Sequence, residues 1–246
     1  MKVICVVQAR MGSTRLPGKV LMDLAGKPSL LHQIERLLGA KKIDHIVVAT
    51  TTKEQDNAIV KAVKNCHPRV TAFQGSEMDV TDRYYLAVKD FHPDAVIRIT
   101  GDCPLIDPEV VDKVIEEFIN SKADYVANVL GKRTYPRGLD TEVFSFQFLE
   151  KMWKELNDEL DRESITLYVR RNPSLFKCKN VTSPVDYSFH RWTLDERDDY
   201  ELIKTIYQEL YVKNTNFKMK DILELFKKRP ELIKINQHIE QKNPHC

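Results

Sequence analysis

Cysteine is sparse and scattered in this chain. The five residues Cys5, Cys66, Cys103, Cys178 and Cys246 include no C-x-x-C pair, which argues against a zinc site or a disulfide framework. Cys5 and Cys103 fall in or beside apolar stretches, where a free thiol serves as a small hydrophobe. An excess of one charge is also missing: 38 Lys and Arg face 36 Asp and Glu, for a formal net charge of +2. So balanced a chain lacks the electrostatic footprint of a nucleic-acid or membrane-surface protein. No apolar run approaches the ~20 residues of a membrane span. The opening segment has only a seven-residue apolar stretch and no small-residue cleavage pattern, so it does not read as a signal peptide. A cytoplasmic protein with no nucleic-acid partner and no membrane span is expected. Internal repeats, low-complexity tracts and clear linkers are absent as well.

What is present is enough for a real core, since 42% of the 246 residues are apolar. Continuous apolar runs at 2–9, 45–49 and 95–99, with a shorter one at 70–73, read as buried strands. Helical patterns at 30–38, 57–63, 80–91 and 110–121 alternate with them, and prolines mark the edges. The alternation predicts a three-layer α/β/α fold with a mostly parallel sheet. After residue 123 the pattern loosens. Short strands and a polar loop are expected over 124–150, helices at 146–156 and 163–170, strands at 175–181 and 187–193, and a helix at 198–210. Residues 211–246, with eight Lys/Arg and four Asp/Glu, read as two amphipathic helices around Pro230 and a ragged tail. A single domain over 1–246 is expected, with an inserted substrate or dimerisation segment at about 124–193.

The strongest local signal directly follows the first strand. Residues 8–19, QARMGSTRLPGK, place two glycines, two hydroxyls and three cations together. Glycines let a backbone approach an anion, while amides, Arg and Lys neutralise it, which suits a triphosphate. The loop is not a P-loop, because five residues separate Gly12 from Gly18 and Val20 stands where Ser or Thr would hold the metal. No G-x-G-x-x-G occurs either. Gly101-Asp102 sets a carboxylate at the end of the fourth strand, a hard oxygen ligand suited to Mg2+. Asp107-Pro108 reads as a helix cap with Pro at the first helical position. Asp195 again follows a strand pattern and precedes a helix; it reads either as a cap or as a second metal carboxylate.

At these residues the chain resembles a known family. RMGSTRLPGK is similar to the N-terminal signature of the cytidylyltransferases that activate 3-deoxy-manno-octulosonate and acylneuraminate, and the whole chain looks like their SpsF-type spore-coat polysaccharide branch. The resemblance implies a GT-A-like nucleotidyltransferase fold and transfer of CMP from CTP, with pyrophosphate released, to an acidic sugar, polyol phosphate or phosphonate. It implies that Arg10, Ser13, Arg15 and Lys19 cradle the phosphates, with Ala9 and Gly12 alongside, and that Lys19 stabilises the departing pyrophosphate. By the same likeness Thr51 and Arg83 lie at cytosine and ribose, and Asp102 and Asp195 hold Mg2+. The loop 135–142 looks like the acceptor loop, so Arg137, Asp140 and Glu142 are expected at the small anionic acceptor, together with His190 and Arg191. A homodimer through residues 130–180 is implied too. One departure stands out: Ser164 occupies the position of His in the family's R-E-H-V-T pattern. A glycosyltransferase of the same fold is the alternative, but no Asp-x-Asp is present to hold a nucleotide sugar. A nucleotide-binding protein without catalysis is the third reading.

Overall fold

In the computed structural model residues 1–241 are described. Along the chain run β1 (Val3–Gln8), a short hairpin of β2 (Asp23–Leu24) and β3 (Lys27–Pro28), α1 (Ser29–Leu38), β4 (His45–Thr51), α2 (Asn57–Val63), β5 (Val70–Gly75), α3 (Val80–Val88), β6 (Ala95–Thr100) and α4 (Pro108–Ser121). There follow β7 (Tyr125–Ala127), β8 (Glu142–Ser145), α5 (Phe146–Glu155), α6 (Glu159–Glu163), α7 (Ile165–Arg171), β9 (Cys178–Asn180), α8 (Arg197–Leu210) and α9 (Met219–Lys228). Seven strands form one sheet in the order β5-β4-β1-β6-β8-β7-β9. It is parallel except at β8, which runs against both neighbours.

The strand period of two sorts the side chains into the two outer layers. Val3, Cys5 and Val7 of β1 face Leu30, Ile34 and Leu37 of α1, Val111 and Val114 of α4 and Ile203 and Ile206 of α8. Ile4 and Val6 face the opposite way, onto Tyr84 and Val88 of α3 and Leu149 and Met152 of α5. Both faces of β1 are therefore covered, which is why its sequence is a continuous apolar run rather than an alternation. Each such aliphatic side chain contributes about 1.5–3 kcal/mol by leaving water.

This topology positions a crevice. β4 and β5 are added on one side of β1 and β6 on the other, and ligands of open α/β sheets bind outside the carboxyl ends of strands at such a reversal. Gly101 keeps the two outgoing loops together. Its amide donates to the Gln8 carbonyl at 2.8 Å, and a Cβ there would stand 2.9 Å from both that oxygen and the Ala9 Cβ.

The strands of the segment expected as an insertion, β7, β8 and β9, extend the central sheet beyond β6. Two elements differ from the sequence expectation. Residues 187–193 form no strand beyond one bridge between Arg137 and Arg191. Their backbone groups are shared between two loops: Tyr187 N donates to Thr134 O at 2.8 Å, Trp192 N to Arg137 O at 2.7 Å and Leu194 N to Asp102 O at 2.8 Å. A segment that straps two loops together has no single ladder partner. The second C-terminal helix is a 3-10 turn, Pro230–Ile235, whose Leu232 is buried in the core. The tail from 242, Cys246 included, lies outside the described residues.

The strap passes over Gly138 so closely that a Cβ would lie 2.6 Å from the Trp192 carbonyl, and Gly138 has a φ of +98°. Gly138→Ala is expected to destabilise the fold by more than ~1 kcal/mol, read as a lowered urea midpoint with an unchanged m-value.

Candidate active site

The cleft at the switch point measures about 250 Å3 and is lined by Gln8, Ala9, Arg10, Ser13, Thr14, Arg15, Lys19, Thr100, Gly101, Asp102 and Asp195. Its first wall is the loop after β1. Two bonds to the Met11 carbonyl, from Ser13 N at 2.9 Å and Gly18 N at 3.0 Å, fold this loop back on itself. Gly18 carries the left-handed turn at its end, with φ 71°, and delivers Lys19 to the cleft floor. Among the described residues the amides of Gly12, Thr14 and Arg15 meet no acceptor. Unpaired amides beside cations form an anion cradle.

Asp102 and Asp195 meet at Lys19. The Lys19 Nζ lies 2.8 Å from Asp102 Oδ2 and 2.7 Å from Asp195 Oδ1. The 93 residues between the two carboxylates are closed by the strap: Leu194 N and, at 3.3 Å, Thr193 Oγ1 donate to the Asp102 carbonyl. The side chain of Asp195 has neighbours on every side. Arg15 Nη2 stands 3.0 Å from Oδ1, and Arg191 Nη2 stands 3.3 Å from Oδ2. Burial opposes ionisation of Asp102, but the Lys19 ammonium and hydrogen bonds from Lys19 and Thr100 outweigh it and hold the carboxyl well below the usual range. Burial likewise opposes the charge on Lys19, and the two carboxylates outweigh it, so the ammonium is held on.

Behind Asp195 sits a residue that sequence reading missed. The Asp199 carboxylate accepts from Arg191 Nε at 2.8 Å and Nη2 at 2.9 Å, from the amides of Asp195 and Glu196 at 3.1 and 3.0 Å, and from Asn236 Nδ2 at 2.8 Å. Asn236 also donates to the Arg191 carbonyl at 2.8 Å, and Arg191 Nη1 to Gln241 Oε1 at 2.6 Å. The E-R-D-D run held part of the signal, as Glu196 and Asp199 form a capping box on α8. Asp56 was missed too. It accepts from the Met11 amide at 2.7 Å and from the Thr51 hydroxyl, pinning the loop to the end of β4.

Other expected residues fall in different places. Arg10 is exposed and lies 3.4 Å from Glu77. Arg83 is buried, its Nη1 donating to the Ser76 carbonyl, and lines a side pocket of about 110 Å3 with Gln8, Ala9, Arg10, Glu77 and Glu163. Thr51, expected at the nucleotide, is buried and occupied by Asp56. Glu142, expected at the acceptor, is buried in β8 and accepts from Arg98 at 2.9 Å, Tyr125 at 2.7 Å and Arg170 at 3.2 Å. Asp140 takes a two-pronged bond from Arg133 at 2.6 and 2.9 Å. Arg191 is spent on Asp195 and Asp199. Only Arg137 of this group is uncommitted: its half-buried guanidinium has no hydrogen bond or ion pair among the described residues. Burial and the charge of Arg133 pull its pKa down. His190 is not at the cleft. Its ring packs among Phe189, Trp192 and Phe226 at 4.1, 5.6 and 5.2 Å, against α9.

Asp102 and Asp195 offer hard oxygens to one point, a donor set that fits Mg2+, which takes one or two carboxylates and leaves the rest of its shell to phosphates and water. Among the described residues no cluster of three or more His, Cys, Asp or Glu forms a metal cage. No described helix is long and apolar enough to cross a membrane.

An amide-lined basic loop beside paired carboxylates, at the switch point of a largely parallel sheet, defines an α/β protein built to receive phosphates. The family is narrower than that. Residues 4–240 match the model described as Cytidylyltransferase, and the chain belongs to that family. It is 34% identical over 215 residues to the spore coat polysaccharide biosynthesis protein SpsF of Bacillus subtilis (strain 168), covering 84% of this chain and 87% of that one. The solved structure of a cytidylyltransferase from Leptospira borgpetersenii serovar Hardjo-bovis superposes with a TM-score of 0.89 at 34% identity, over 99% of this chain and 100% of that one. CMP:2-keto-3-deoxy-manno-octonic acid synthetase, solved with CTP, shares the fold at a TM-score of 0.63 and 20% identity, over 85% of this chain and 100% of that one.

The packing of His190 has a pH signature. Burial pushes its pKa down from 6.5 to about 4, so protonation favours the unfolded chain. Its contribution is complete above pH 6.5 and is lost as the pH falls toward 4, at no more than about 1.4 kcal/mol per unit. Replacement by Phe is expected to flatten that part of the stability profile, measured by urea unfolding between pH 4 and 7.

Proposed function

We propose that the protein is a Mg2+-dependent cytidylyltransferase that moves CMP from CTP to a small anionic acceptor and releases pyrophosphate. The observation that carries this reading is the meeting of Lys19, Asp102 and Asp195 beside the amide-lined loop. CTP brings about four negative charges, so attack on its α-phosphorus requires that charge to be cancelled. Arg15 and Lys19 stand at the cleft to do so, and the free amides of Gly12, Thr14 and Arg15 orient the phosphate oxygens. As the triphosphate enters, Lys19 exchanges a carboxylate for a phosphate oxygen and leaves Asp102 ionised at the cleft floor. Asp102 and Asp195 would hold Mg2+, which supplies charge neutralisation and, for a hydroxyl nucleophile, a lowered pKa. Arg191 and Asp199 keep Asp195 in place throughout.

Cytosine and ribose belong in the side pocket with Arg83, which adjoins the cleft through Gln8, Ala9 and Arg10. Arg137 supports an acidic acceptor, since an uncommitted guanidinium suits a carboxylate or phosphate. An acidic sugar, polyol phosphate or phosphonate meets that requirement, and the likeness to SpsF favours a building block for a surface polysaccharide.

The test supplies CTP, Mg2+ and a panel of these acceptors and measures pyrophosphate. Acceptor-dependent release is expected; none with any acceptor overturns the reading, and release of a nucleoside diphosphate from a nucleotide sugar would replace it with glycosyl transfer. Lys19→Ala and Asp102→Ala are each expected to lower the rate at least ~10²-fold, the scale of losing one electrostatic stabiliser. Turnover near that of the parent protein in either variant removes the role assigned to that residue.

A further inference from the structure

A cavity of about 560 Å3, more than twice the size of the cleft, opens between α1, the end of α8 and the loop before α9. It lies within the ~300–1,000 Å3 range of small-molecule sites. None of its lining residues is shared with the cleft. Four rings lie along it, of which Tyr211 is the partly exposed one. His32 stands 4.4 Å from Tyr207 and 4.8 Å from Tyr211, and Tyr207 meets Phe217 edge-on at 5.4 Å. His32 is buried, its Nε2 is 2.5 Å from the Leu24 carbonyl, and burial lowers its pKa.

Beside the rings lies a cation without an ion-pair partner among the described residues. Arg36 is 8% exposed. Its guanidinium lies 4.4 Å over the Phe217 ring, and Nε donates to the Ile106 carbonyl at 2.7 Å. Neither Nη1 nor Nη2 has an acceptor among the described residues, and Nη2 is fully buried. The carboxylates whose charge it feels are engaged elsewhere: Asp107 accepts from the amides of Glu109, Val110 and Met219, and Asp221 from that of Lys218, while Glu35, which lines the cavity, pairs with Lys27. A buried guanidinium with unmet donors calls for an anion, and the partly exposed Tyr211 ring beside it suits a planar partner.

We propose that this cavity is a second ligand site, for an anion that carries a planar ring, of the size and chemistry of a nucleoside monophosphate. Arg36 takes the anionic group through Nη1, and Tyr211 flanks the ring, with Tyr207 and Phe217 packed behind. Lys218 at the mouth adds positive charge, though it is shared with Glu109. The site is independent of the function proposed for the cleft. Its back wall nevertheless belongs to the loop that bears Asp102, through Arg36 on Ile106 and the Tyr207 hydroxyl, which donates to the Pro104 carbonyl at 2.6 Å.

Calorimetric titration of the full chain with CMP tests it, because the number of sites separates the two pockets. Two CMP per chain are expected. Thr215→Trp, which fills the mouth from an exposed position and spares the core, is expected to leave one, as is Arg36→Gln. Lys19→Ala is expected to remove the other and leave the Thr215-sensitive site. A single CMP that Thr215→Trp abolishes supports this site and counts against the cleft as a nucleotide site. A site number unchanged by Thr215→Trp overturns the proposal. Inorganic phosphate is expected to bind the Thr215-sensitive site at least ~10-fold more weakly than CMP; equal affinity overturns the part assigned to the rings.

Discussion

Two carboxylates side by side repel each other by about 4 kcal/mol at 4 Å and an effective dielectric of 20. The fold forces that situation on Asp102 and Asp195 by hydrogen-bonding the strap 193–194 to the Asp102 carbonyl. Lys19 makes it stable, since one ammonium touches both. Arg15 and Arg191 share the load on Asp195. Breaking a buried pair by removing one partner is costly, because the other charge stays behind unpaired. The same arrangement turns both carboxylates toward one point of the cleft.

The backbone around this pair is as specialised as the side chains. Gly101 lets two strand ends run in contact, and Gly138 lets the strap cross the 134–139 loop. Neither contact tolerates a Cβ. Both glycines sit where chain segments distant in sequence are tied by main-chain bonds. The Asp56 side chain ties the loop after β1 to the end of β4 through Met11 and Thr51.

What could be read from the chain beforehand follows the range of the interactions. β1, β4 and β6 were legible because strands covered on both faces must be apolar throughout. The loop 8–19 was legible because glycines, hydroxyls and cations concentrate within one turn. Asp102 and Asp195 were nameable from their positions after strand patterns, but their meeting depends on the strap, whose residues 187–193 look like a strand and are not one. His190 and Glu142 carried the right chemistry for an acceptor site, yet one packs among rings of α9 and the other is enclosed by Arg98, Tyr125 and Arg170. Burial of that kind is a property of the assembled core. Asn236 gave no local sign at all, because its partners, Arg191 and Asp199, lie 45 and 37 residues away. Ser164, which departs from the family pattern, follows α6, outside the residues that line the cleft.

The clamp of Asn236 and Gln241 on Arg191 has a consequence for the order of events during synthesis. A ribosome that has made residues 1–210 has already produced the basic loop, both acidic residues and Arg191. Asn236 and Gln241 are still missing at that stage, so Arg191 and Asp199 lack those two partners until the turn at 230–235 and the residues after it are made. The backing of the cleft is thereby completed only once residues 236–241 are made.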